Sequence, residues 1–186
     1  MARETIVWNR ERVFAWVKNW MAKLCDQWEE FKEMNSIEDV VGFFLSKASM
    51  SPKKLQKLLY YAYGWTLALL NENVDEIHSR LFEDPIEAWV HGPVIPSVYA
   101  RFKEYGWNNI PMIEDFDESV FPFEVLDILN QVWDVYGDYS GNQLEAFSHR
   151  EDPWIQARKG LSSEVPSHVQ LSDRVIFEYF NKQAMA

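Results

Sequence analysis

Apolar residues recur at three- and four-residue spacings along most of this chain, and helix-start and helix-stop residues punctuate the runs. That pattern predicts a mainly α-helical protein. Val13, Trp16, Val17, Trp20, Leu24, Trp28 and Phe31 line one face of a first amphipathic helix. At Met34 the character changes. Ser36 followed by Asp39 marks a second helix, with Ile37, Val40, Val41, Phe44 and Leu45 on its apolar side. Ser51-Pro52 opens a third, with Ser as N-cap, Pro at the first helical position and a buried stripe of Leu55, Leu58, Leu59, Ala62, Trp65 and Leu69. Between Leu81 and Val94 the period shortens. Ile86, Ala88 and Val90 alternate with Glu87 and Trp89 between the turn signals Asp84-Pro85 and Gly92-Pro93, which predicts a short β-ribbon. Helices follow from Pro96 to Gly106 and from about Pro122 to Tyr136. A capping box, Ser140 with Gln143, opens a further short helix. Asp152-Pro153 is read as the capped start of the next, and a last helix runs from Ser172 to about Gln183 with Val175, Ile176, Tyr179 and Phe180 on one side. The expected architecture is a compact multi-helix domain with a small antiparallel β-ribbon, preceded by an amphipathic N-terminal helix.

Composition narrows the function classes. Nine Trp among 186 residues supply core volume and also candidate interface anchors. With 29 Asp+Glu against 18 Lys+Arg, the net charge is -11. Phosphate recognition relies on Lys and Arg, and no basic cluster stands out, so nucleic-acid binding is disfavoured and a basic protein partner suits better. A single cysteine, Cys25, excludes an intramolecular disulfide framework and a Cys-rich zinc site. No apolar run approaches the length of a membrane span, and residues 1–12 lack the apolar stretch of a signal peptide, so cytoplasmic residence without membrane contact is the expectation. Residues 1–33 hold six basic and six acidic side chains, a neutral balance unlike that of a membrane-surface helix. Docking on the rest of the fold and partner recognition both remain open for that helix. The acidic run Glu114, Asp115, Asp117 and Glu118 reads as a solvated loop, and it is the one stretch that could steer a basic partner.

Catalytic machinery is not legible. There is no Gly-x-Ser-x-Gly elbow, no phosphate-cradling Gly-rich loop and no His-Glu-x-x-His pair. His149 with Glu151 and Asp152 could bind a metal or act as an acid–base pair. Residues at a helix junction more often cap backbone groups, though, and one cluster falls short of three zinc ligands. No catalytic residue, cofactor or metal is therefore expected.

Three segments carry a resemblance. KLQKLLYYAYGWTLAL (54–69), PIEAWVHGPVIPSVYARF (85–102) and LEAFSHREDPWIQAR (144–158) resemble, in order and spacing, the signature blocks of the Panacea (SocA-like) antitoxin domain. Ser148 stands where the family commonly has Thr. The resemblance divides the chain into an N-terminal extension, 1–33, and a Panacea-like domain, 34–186. It implies a mainly helical domain with a small β element that neutralises a cognate protein toxin of a bacterial or phage toxin–antitoxin pair by direct binding. One branch of the family instead delivers its toxin to a Clp-type protease, and that alternative stays open, as does a homo-oligomer. The residues expected to border the partner-binding surface are Lys57 and Tyr60 from the first block, Trp89, His91, Gly92, Pro93 and Val94 from the second, and His149 and Trp154 from the third.

Overall fold

The computed structural model describes residues 36–162 and 164–185. The helix expected within residues 1–33, with Cys25, lies outside the described residues. Those described form seven α-helices and one two-stranded antiparallel ribbon. Helix α1 spans Ile37–Lys47 and starts at Ser36, whose hydroxyl accepts from the Glu38 amide. Helix α2, Pro52–Leu70, starts at Ser51, whose hydroxyl accepts from the Lys54 amide, with Pro52 in its first turn. Strands β1 (Glu87–Trp89) and β2 (Gly92–Val94) pair with Ala88 opposite Pro93. Helix α3 (Pro96–Phe102) tightens into a 3₁₀ turn that Gly106 ends at φ +54°. Helices α4 (Phe123–Tyr136), α5 (Gly141–Ser148), α6 (Asp152–Ala157) and α7 (Asp173–Ala184) complete the chain, and the capping box at Ser140 is present.

Two local expectations need correction. Glu151, rather than Asp152, occupies the N-cap position of α6, and Asp152 is an exposed first-turn residue. The α2 stripe was expected on one face, whereas α2 is buried on every side from Leu55 to Ala68. It is the axis of the domain: α1, α3, α4, α5, α7 and the ribbon all pack against it. A helix enclosed by neighbours loses the solvent face that amphipathic reading assumes. Gly64 lets α7 approach, since a Cβ there would overlap the Phe180 ring.

The two blocks downstream of α2 are held to it by side chains. Gln56 behaves as a surrogate strand at the outer edge of β2, accepting from the Ile95 amide at 2.7 Å and donating to its carbonyl at 3.2 Å.

Candidate functional site

The ribbon, the N-terminal half of α2 and the α5–α6 junction meet at one end of the domain. Each contact has a specific cause. The Lys57 ammonium donates to the Pro93 carbonyl at 2.8 Å. Gly92 sits at φ +93°, where a side chain would be strained, and a Cβ there would lie 2.8 Å from Ser148 Oγ and 2.9 Å from Lys57 Nζ. Glycine thus lets the hairpin press onto α2 and α5. From the other side, Trp154 Nε1 donates to the Trp89 carbonyl at 2.9 Å and Arg158 Nη1 to the Ala88 carbonyl at 3.0 Å. The His149 ring stacks on Trp154 at 4.0 Å, and the Arg158 guanidinium covers that indole at 5.1 Å.

Beneath this lies a buried polar network that sequence reasoning missed. Glu151 accepts from Tyr60 Oη at 2.8 Å and Tyr61 Oη at 2.9 Å, joining α6 to α2 across ninety residues of chain. Burial pushes the Glu151 carboxyl up to about 7, against the opposing pull of the two tyrosine hydrogen bonds. Burial likewise pushes the Lys57 ammonium down to about 7, opposed by nearby Glu145 and reinforced by Lys53. The only sequence hint was the spacing of Lys57, Tyr60 and Tyr61, which share one face of α2.

These two groups make opposite contributions to stability. Between the ordinary carboxylate value and pH 7, the folded chain holds a proton on Glu151 that the unfolded chain has lost, so stability falls as pH rises through that window. From pH 7 towards the ordinary lysine value, the unfolded chain holds a proton on Lys57 that the folded chain has lost, so stability rises. The combined contribution of these two groups is expected to have its minimum near pH 7. Melting temperatures at pH 5, 7 and 9 check it: Glu151→Gln should remove the loss between pH 5 and 7, of about 2–3 kcal/mol. A variant profile parallel to wild type over that range would refute the assignment.

The nine residues expected at the surface divide sharply. Lys57, 1% exposed, and Tyr60, fully buried, are core residues, so neither side chain offers surface to a partner. Gly92, Pro93, Val94 and Trp154 are also buried. Trp89 and His149 are half-buried, and His91 is exposed. Trp89 is held edge-on between Tyr99 and His168, with its Nε1 donating to Glu87. The outward face includes residues the sequence did not single out. His91 Nδ1 lies 2.9 Å from Glu145 Oε1, Lys53 reaches Glu145 Oε2 at 2.5 Å, and Lys53 stands over the Trp107 ring. Trp107 is 88% exposed, the most exposed large apolar side chain of the described residues. Burial opposes ionisation of Glu145, but hydrogen bonds from Lys53 and His91 outweigh it and hold the carboxyl below its usual value. Burial lowers the pKa of His149, whose Nε2 is enclosed without a hydrogen-bond partner among the described residues. Among the described residues no three His, Cys, Asp or Glu side chains gather as a metal site, and no helix is long and apolar enough to cross a membrane.

The family described as antitoxin SocA-like, Panacea domain, matches residues 55–155, and the chain belongs to it. That span holds α2 from Leu55 onwards, the ribbon and the α5–α6 junction. Among curated proteins the chain is similar to Antitoxin SocA of Caulobacter vibrioides (strain NA1000 / CB15N). The two are 30% identical over 163 residues, covering 79% of this chain and 83% of that protein. No solved structure matches the chain.

Proposed function

We propose that this protein is an antitoxin that neutralises a cognate protein toxin by binding it directly, without chemistry of its own. Membership of the SocA-like antitoxin family carries the reading. The geometry supports it. Residues of the three blocks are spent on holding the ribbon to α2 and α6, and a rigid scaffold of that kind presents surface side chains without an ordering cost. The row Trp107, Lys53, Glu145 and His91 offers an exposed aromatic anchor and a polar rim. The acidic balance of the chain favours a basic toxin surface.

The test is co-expression with the protein encoded beside this gene. Wild type is expected to restore growth and to copurify with it. Trp107→Ala combined with His91→Ala should weaken the complex about tenfold or more while shifting the melting temperature by less than about 2 °C, since both side chains are exposed. Full neutralisation by the double variant would place the surface elsewhere. Rescue that disappears in a strain lacking Clp protease, with the complex intact, would make the protein a proteolytic adaptor instead.

A further inference from the structure

On the side of the ribbon away from α2, β1 pairs with a stretch that is not a regular strand. Ala88 N–H donates to the Val169 carbonyl and Leu171 N–H to the Ile86 carbonyl, both at 2.8 Å, which sets Gln170 antiparallel to Glu87. In such a ladder alternate residues turn their main-chain groups to opposite sides. The N–H and C=O of Gln170 therefore point away from β1, and no described residue hydrogen-bonds to either. Gln170 is exposed, and Ser172 continues the extended backbone at φ -81°, ψ 129°. Residues 167–172, SHVQLS, contain neither the Pro nor the Lys that commonly blunts an open edge.

This edge borders a cleft of about 320 Å³. Ile86, Leu171 and Ile176 form its apolar floor, and Tyr63 lines its wall. Its charged lining is three carboxylates, Glu83, Asp84 and Asp173, against two guanidiniums, Arg80 and Arg174. Both guanidiniums are engaged: Arg80 with Asp173 at 2.8 Å, and Arg174 with Asp75 and Glu178. Asp84 accepts from Ser97 and Asp173 from Tyr63, whereas Glu83 is exposed and in no salt bridge among the described residues.

We propose that Gln170 and this cleft form a docking edge for an extended segment of the toxin, which pairs with the Gln170 main chain and turns a Lys or Arg side chain towards Glu83. The surface rests on the antitoxin reading but lies apart from the Trp107–His91 row. Strand addition of this kind draws affinity from the main chain and selectivity from pockets for alternate side chains. An edge can also pair with a second copy of its own chain. Here that would bring two clefts with surplus carboxylates together on molecules of net charge -11, which opposes self-pairing and favours a basic segment.

Hydrogen–deuterium exchange on the full chain, with and without the toxin encoded beside its gene, tests this. The complex should protect the amides of residues 168–172. Gln170→Pro removes the outward N–H and should weaken binding about tenfold, while Gln170→Ala, which keeps it, should bind like wild type. Pro leaves both ladder bonds to β1 in place and suits an extended Val169. Should it nevertheless unfold the chain, Glu83→Lys at the exposed rim gives an independent reading, with a similar loss expected. Unchanged exchange at 168–172 together with wild-type binding by Glu83→Lys overturns the proposal. Protection of those amides in the chain alone, with a doubled mass in solution, assigns the edge to a second copy and overturns it too. If wild type neither binds the toxin nor rescues growth, the antitoxin reading itself fails, and this surface with it.

Discussion

Replacing Phe180 by Ala is expected to lower the melting temperature by about 10 °C, from a loss of about 3–5 kcal/mol in a domain of this size. Phe180 is 1% exposed, and its ring meets Tyr60, Tyr61 and Trp65 of α2 at centroid distances of 5.7, 6.2 and 5.2 Å. It also occupies the space left by the missing side chain of Gly64. Truncation would open a cavity between α2 and α7 and loosen the two tyrosines that hold Glu151. The ring lies beyond the span matched by the family, residues 55–155, so the loss would show that α7 belongs to the same cooperative unit. Thermal melting by circular dichroism checks this. A shift of less than about 3 °C would mean that α7 is peripheral.

Lys57→Ala is expected to cost about 3–4 kcal/mol and to abolish neutralisation by loosening the ribbon rather than by deleting a contact with a partner. The lysine stem is buried, and its ammonium is the donor that satisfies the Pro93 carbonyl in β2. Alanine leaves that carbonyl unpaired and a void beside Gly92 and Ser148. Lys57→Met restores volume but no donor, so it should recover about half of the loss. Melting temperatures of the two variants, measured beside toxin binding, separate these effects. If Lys57→Ala melts like wild type, the lysine is dispensable to the fold.

Several elements were legible because their causes are local. Ser36, Ser51 and the Ser140–Gln143 box lie at helix starts, as hydroxyls that satisfy free amides must. Alternation over residues 86–90 located β1, whereas Gly92-Pro93, read as a turn signal, pairs as β2 and the turn itself falls at Val90-His91. Gly106 ended the 3₁₀ turn after α3, where φ turns positive. The family resemblance rested on the same readable blocks.

Burial of polar groups was not legible. Lys57 and Tyr60 occupy α2 positions that local pattern cannot assign to core or surface once every face of the helix is covered. Glu151 looked like part of a surface capping junction, yet it is the buried acceptor for two tyrosines some ninety residues upstream. Trp107 stood among eight other tryptophans with nothing in its neighbourhood to mark it as exposed. The sequence by itself determined where helices and turns begin and end, because those depend on hydrogen bonds within a few residues. Only the tertiary structure decided which side chains of the three blocks hold the scaffold and which face solvent, because burial depends on the elements that surround a residue, most of them distant along the chain.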